Sequence, residues 1–357
     1  MTLEATQTAV LDALSTAAQT YDPATGTAEQ AELAAAQILV RNALLSAAQS
    51  GSGVAGASAS GPGSNGYSRR AMFLKSGAYS WTAAADGKIR IQALGPGGGG
   101  GQRRPGAGGG FTELDIEVVA GDVFTVTVGG GGDGAIHNVD GNNGGTTTVI
   151  CAARGVSLVV NGGEGGKAAG AAGGTATGGE VNRTGGAGSA TVVLGGGSSG
   201  GPRSDGFEAL DAGGSGWGGP SNNGTGASSH FPGRSSLASE TAASGLTARG
   251  GITYDTTYGY ADPFGHSADW WDLHDMDGGG GARSKTLGAD GGTGAGGGGF
   301  SSFQQGGNGG FGGGGGAAQI GGHGGNGGGG GAGAGTTGGA TGGDGGDGAV
   351  LIFFNAA

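Results

Sequence analysis

The chain has 357 residues, of which 99 are glycine and only 8 proline, with a formal net charge of −11 and a single cysteine, Cys151. One cysteine excludes an internal disulfide framework, and the acidic balance argues against nucleic acid as a partner, since phosphate contacts draw on Lys and Arg. So much glycine leaves a small apolar core for the length, while the few prolines and the lack of a sustained Gly-X-Y register exclude collagen.

Residues 3–20 and 28–49 read as two helices parted by Pro23 and Gly26. Thr27 and Gln30 have capping-box spacing, and Gly51 stands where a C-terminal cap belongs. Apolar residues recur at Leu3, Val10, Leu14 and Tyr21, then at Ala31, Ile38 and Leu45, steps compatible with a short coiled-coil seam. The segment 1–50 is Ala-rich and too small to hold a core alone. It is expected to self-associate or to dock on a larger partner; a helical hairpin packed on its own chain is the other reading. No apolar h-region follows Met1 and the first basic residue is Arg41, so no signal peptide is expected and the chain is expected to be made in a cytoplasm. Residues 51–76 read as a flexible linker, most plainly the small-residue stretch up to Asn65-Gly66.

Strand patterns follow, and the segment 77–166 reads as a small antiparallel β-core. Ile89, Ile91 and Ala93 share one face of a strand over 88–94; Leu114, Ile116 and Val118 alternate with Glu113, Asp115 and Glu117; Phe124, Val126 and Val128 alternate with Thr125 and Thr127. Ala120-Gly121-Asp122 reads as the turn of a hairpin joining the last two. Residues 146–152 and 158–160 add strands. The hydrophobic run 349–354 closes the core within the segment 349–357, so the glycine-rich stretch is bracketed by the core and is no trailing tail.

The stretch 167–348 repeats two glycines and one other residue, as in 306–311, 321–326 and 342–347. Polyproline-II-type helices have three residues per turn and no internal hydrogen bonds. Such a period predicts bare backbone faces that pair sideways, a bundle of polyglycine-II-type helices. A disordered Gly/Ser linker is the bland alternative, against which the interrupting strand-like runs and the hydrophobic ending both count. Glycine thins over 195–290, which reads as long loops projecting from the bundle. The expected fold class is therefore mainly β, a small antiparallel core plus a glycine-helix bundle, preceded by a short α-helical segment.

Within those loops, 252–277 gathers Tyr254, Tyr258, Tyr260, Phe264, Trp270 and Trp271 with His266, His274 and six aspartates, and with no Lys or Arg. Loop-borne Tyr and Trp are the composition of binding surfaces; a local mini-core that shapes a long loop is the other reading. Trp217 marks the next segment in line for contact. Asp262, His266, Asp269, His274 and Asp277 match no defined metal-ligand spacing, and no metal or cofactor is expected. Gly196-Gly197-Ser198-Ser199-Gly200 fits G-x-S-x-G, yet in a chain this rich in glycine such matches arise by accident. No catalysis is expected.

Trp81-Thr82, the run 87–96 (Gly-Lys-Ile-Arg-Ile-Gln-Ala-Leu-Gly-Pro) and Gly97–Gly101 are followed by Gly108-Gly109-Gly110-Phe111 and by 119–129. Gly144-Gly145-Thr146-Thr147-Thr148-Val149, Gly162-Gly163-Glu164-Gly165-Gly166 and the close over 345–353 complete the order. This succession resembles the glycine-rich domain of phage tail-fibre and receptor-binding (adhesin) proteins, over about 78–166 and 290–354. The resemblance implies a β-core feeding a glycine-helix bundle whose distal loops touch a host receptor, a polysaccharide or an outer-membrane protein. It implies a virion location, attachment to other virion proteins through residues 1–50, and a homo-oligomer, with a trimer expected from fibre symmetry in general. A head fibre or capsid decoration is the near variant. Ice binding and a purely structural surface protein are the distant ones; ice binding asks for regular rows of Thr or Ala, where the glycine bundle offers Asn308, Phe311, His323 and Asn326.

Overall fold

The computed structural model describes Tyr67 and residues 69–101, 103–136, 139–190, 194–210, 212, 214–217, 290, 296–297, 299, 305–333 and 340–355. All belong to the unit Ala55–Ala357. The expected helices over 3–20 and 28–49 lie outside the described residues.

Among the described residues, ten strands form two antiparallel sheets. Sheet A has the order β1 (Arg69–Phe73), β10 (Ala349–Phe354), β3 (Gly87–Leu94), β4 (Phe111–Val118) and β9 (Val181–Arg183). Sheet B has the order β2 (Gly77–Thr82), β5 (Val123–Val128), β6 (Thr146–Cys151), β7 (Val156–Asn161) and β8 (Ala176–Thr177). A 3-10 turn, Ala152–Arg154, links β6 to β7. Alternation puts Ile89, Ile91 and Ala93 of sheet A against Phe124, Val126, Val128, Val149, Leu158 and Val160 of sheet B, all buried. The sheets thus face each other as a sandwich, with side chains alternating in and out along each strand.

The expected hairpin at Ala120-Gly121-Asp122 does not form. β4 pairs with β3 and β9, whereas β5 pairs with β2 and β6. The turn carries the chain from sheet A across to sheet B. Its backbone bonds go to the β2–β3 connection, which crosses the other way: the Ala83 N–H donates to Asp122 O and the Gly121 N–H to Ala83 O. The Ala120 N–H donates to Asp86 Oδ1, and Asp122 Oδ2 takes the Val119 N–H at 2.8 Å. Gly121 holds φ at +91°, a conformation a residue with a Cβ rarely adopts. A turn signal reports a reversal of the chain, and a reversal serves two sheets as well as two neighbours within one.

Strand β1 falls in the stretch read as linker. Its sequence, Arg-Arg-Ala-Met-Phe, has only one residue fully buried, Ala71, and pairs with β10 over its whole length. Its strand character comes from that pairing and is weak in local pattern. β10 lies between β1 and β3 and is the most buried strand, which is why its sequence is a continuous apolar run.

Each of three connections in the sandwich is drawn out into glycine-rich excursions: 95–110 between β3 and β4, 129–145 between β5 and β6, and 162–175 between β7 and β8. These glycine-rich excursions interleave with the strands of the core. In the first excursion the outgoing and returning arms bond every third residue, Gly95 N–H to Gly110 O, Gly98 to Ala107 and Gly101 to Arg104. The remaining N–H groups of the outgoing arm go elsewhere, Gly97 and Gly100 to Gly346 and Gly343, and Gly99 to Asn142. Its carbonyls receive Gly163 and Gly166, Gly132 and Ala135, and Gly330 and Gly333. One arm is thereby bonded to six neighbours, again in steps of three. A sheet strand bonds to two neighbours at most; this arrangement satisfies buried backbone groups without a ladder. It also requires bare Cα atoms. A Cβ built on Gly97 would meet the Gly328 carbonyl, and one on Gly98 the Glu164 carbonyl, well inside van der Waals contact.

Candidate functional site

Tyr254, Tyr258, Tyr260, Phe264, His266, Trp270, Trp271 and His274 lie outside the described residues, as do the aspartates grouped with them. Trp217 is described, and its place corrects the expectation of a contact residue. It is 3% exposed, packs in a cluster with Leu94, Phe111, Leu351 and Phe353 on the outer face of sheet A, and meets Phe311 edge-on at 6.3 Å. Its indole N–H donates to Ser199 Oγ at 3.0 Å. The ring lies where a Cβ on Gly201 or Gly312 would otherwise sit. Glycine neighbours give a large ring room to enter, so Trp217 joins the glycine segments to the sandwich.

Ser198 and Ser199, from the G-x-S-x-G match, are both fully buried and work as acceptors, Ser198 Oγ for the Phe207 N–H and Ser199 Oγ for Trp217. The match marks a packed crossing of glycine segments.

The excursions end in turns that the backbone bonds bring together. A Cβ on Gly101 would meet the carbonyls of Gly166 and Val139, the Arg103 N–H donates to Gly333 O, and the Arg104 guanidinium donates to Ala190 O. Residues from four connections therefore meet at one place: Arg103 and Arg104, Ile136 and Val139, Lys167, and Ala190. Ile136 is 64% exposed and Val139 54%, so two β-branched apolar side chains are presented to solvent beside the basic Arg103 and the acidic Asp140. Glu164 and Lys167 pair across 2.6 Å, and Lys167 holds the Glu164 carboxyl below its usual range, helped by the Ala172 N–H.

From this turn cluster a side face runs back toward the sandwich in rows three residues apart. Isolated bridges link Gln305 to Ile320, Ile320 to Thr341 and Thr341 to Ile136. In the next row the Asn308 N–H donates to Asp290 Oδ1, the His323 N–H to Asn308 Oδ1, the Asp344 N–H to His323 Nδ1, and the Gly134 N–H to Asp344 Oδ1. Nearest the sandwich, Asp347 accepts from Gly131 and Ser76, while the Asn326 amide donates to the carbonyls of Leu74, Asp347 and Gly348. Along this face, backbone N–H groups are taken by Asn, Asp and His side chains where other segments use a neighbour's carbonyl. That explains the residue types in the two-glycine-plus-one repeat. His323 and Asp344 remain about half exposed, with ring nitrogen and carboxylate oxygen 3.3 Å apart.

A second polar group sits on the outer face of sheet A. Arg90 donates to both oxygens of Asp115, at 2.8 and 3.1 Å, with Lys88 at 3.3 Å, and the Gln92 amide donates to Glu113 at 2.6 Å. The Arg90 hydrogen bond holds the Asp115 carboxyl below the usual carboxylate range. Tyr67 lies over the guanidinium at 5.9 Å, and burial, reinforced by Asp115, pushes its phenol up to about 12. These are cross-strand pairs closing an otherwise open sheet face.

The outer face of sheet B is different in kind. Its outward positions are Ala78, Ser80 and Thr82 on β2, Val123, Thr125 and Thr127 on β5, and Thr146, Thr148 and Ile150 on β6. Ser157, Val159 and Asn161 on β7 and Thr177 on β8 complete it, and none of these positions carries a charge.

The turn cluster escaped the sequence reading because it falls inside the span assigned to the β-core. The signal was present as glycine runs flanking Arg103-Arg104, Ile136 and Lys167, each following a strand end. Compared with family models and with curated proteins, the chain matches none.

Proposed function

We propose that this chain is a structural and host-binding subunit of a tailed phage, a fibre or spike whose glycine segments are polyglycine-II-type helices forming a stiff scaffold. Residues 1–50 attach the subunit or assemble it with its copies, and the turns and loops carried by the scaffold contact a polysaccharide or an outer-membrane protein on the host. The observation that carries the reading is the gathering of turns from four separate connections on a frame locked by backbone hydrogen bonds. Side chains on such a frame vary without disturbing it, because the frame is held by peptide groups. That is the usual division between rigid scaffold and functional loop. The three-residue steps of donors and acceptors support the helix type. Contacts held rigid before binding lose little entropy on binding, and several copies on one particle turn weak contacts into firm attachment.

Binding of the fluorescently labelled full chain to a panel of bacterial cells tests this. It is compared with a variant whose residues 252–277 are replaced by a short Gly/Ser loop and with the Ile136→Asp, Val139→Asp double variant. Cell binding that is lost in either variant supports the reading and says which surface makes the contact. Absence of binding to every strain tested overturns host recognition in favour of a capsid decoration.

A further inference from the structure

We propose that the outer face of sheet B is an interface between two copies of this chain, sheet stacked on sheet. The proposal holds whether or not the protein binds cells, because it rests on a different surface.

The chain has 16 basic and 27 acidic residues, and among the described residues none of them occupies an outward strand position of this face. Exposed sheet faces ordinarily carry charge, which keeps them soluble and discourages association. Sheet A follows that rule with Lys88, Arg90, Glu113, Asp115 and Glu117 turned outward. Sheet B presents instead Thr125, Thr127, Thr146 and Thr148 across its middle, with Val123 50% and Ile150 45% exposed beside them. β-propensity accounts for threonine in a strand; it does not account for the absence of charge from all five strands.

The chemistry of the face selects its occupant. An apolar partner, such as a leucine seam, would strip the threonine hydroxyls of water and return no hydrogen bond, which is costly. A charged partner finds no counter-charge. The occupant must be charge-free and bear hydroxyls of its own, and a second copy offers that surface. Two-fold pairing places the same patch on both sides, where hydroxyls can bond to one another as cross-strand threonines do. For a chain of net charge −11, repulsion between copies is least where neither contacting surface is charged. Four strands of six residues, β2, β5, β6 and β7, about 4.8 Å apart, span roughly 19 by 20 Å, and the two-residue β8 adds little. That footprint of roughly 400 Å² per copy falls below a standard specific interface, so the pairing is weak in solution and strengthened when copies share one assembly.

Sedimentation velocity of the full chain, from about 1 to 200 µM, reads the self-association. The comparison is with the Thr125→Glu, Ser157→Glu double variant, whose positions are exposed and not paired with each other. The expected result is a concentration-dependent dimer whose dissociation constant rises at least about tenfold in the variant, with an unchanged melting temperature. Should the variant lose stability, Thr148→Cys provides the second measurement. The thiol introduced at the centre of the face forms an intermolecular disulfide under mild oxidation, and one introduced by Asp140→Cys does not. Sedimentation as a monomer throughout overturns the proposal. So does association that is equally strong in the double variant, which would place the contact in residues 1–50 or elsewhere, and so does a failure of the Thr148→Cys thiol to cross-link faster than the Asp140→Cys control.

Discussion

The sandwich and the glycine body solve the same problem with opposite materials. In the sandwich, Ile89, Ile91, Phe124, Leu158 and Ile352 are fully or almost fully buried, and side-chain packing excludes water. In the glycine body the buried groups are peptide units, and a segment such as 95–101 is held by hydrogen bonds to six neighbours. The sandwich therefore fails when atoms are removed, and the glycine body fails when atoms are added. Between them stands Trp217, which reaches from the glycine segments onto sheet A with Phe311 packed against the same cluster.

Gly97→Val breaks the comparison hardest. Its side chain would enter the space of the Gly328 carbonyl, which is backbone and cannot rotate aside. A loss of about 3 kcal/mol or more is expected, read as a fall in denaturant midpoint or as failure to recover folded protein. A mild effect would mean that the segments slide apart easily and that the glycine body is not close-packed.

Ile352→Ala is the counterpart in the sandwich. It leaves a cavity at the centre of sheet A and is expected to cost about 2–5 kcal/mol. Gly97→Ala and Ile352→Val, each a change of one carbon, sharpen the contrast. The first is expected to cost more than the second, which should lie near 1 kcal/mol. Equal costs would erase the distinction drawn between the two regions.

Asn326→Ala tests the seam where the two regions meet. The Asn326 amide donates to three carbonyls, including Leu74 beyond strand β1. Its loss is expected to cost about 1–2 kcal/mol. Hydrogen exchange should then quicken at the Ser76 and Gly131 amides, which share the Asp347 carboxylate.

Asp115 gives the smallest effect and a pH signature. Its carboxyl is held below the usual range in the folded chain, so its contribution is present above the unfolded value near 4 and is lost as pH falls through the lower folded value. Asp115→Asn is expected to cost about 1 kcal/mol near neutrality, after allowance for solvent around Lys88 and the outer strand edge. The difference from the parent chain should close in acid. A difference that widens on acidification would remove the Arg90 pair as its source.

Local pattern carried much of the sandwich into view. The alternations over 88–94, 113–118 and 123–128 and the apolar run at 349–354 are strands with the faces their residues imply, because burial on one side leaves a period of two. β1 and β2 were not visible. Arg69-Arg70 becomes strand by pairing at a sheet edge, and in 77–82 only Tyr79 and Trp81 alternate inward among small residues. The candidate site was legible only in its residue types. Glycine periodicity foretold sideways backbone pairing, but Trp217 looked like a surface aromatic until its ring was found over Gly201 and Gly312.

Composition and period by themselves determined that this chain has a small β-core and long glycine segments bonded to one another, since glycine alone leaves the backbone bare and a period of two marks a half-buried strand. Tertiary structure decided the rest. The turn at Ala120–Asp122 crosses between sheets because its N–H groups find partners in the β2–β3 connection. The excursion ends at Gly101 and Arg104, at Ile136 and Val139, and at Gly166 and Lys167 meet because hydrogen bonds in steps of three fix the register of each excursion against its neighbours. No local signal carries that information, because a glycine has no side chain with which to name its partner.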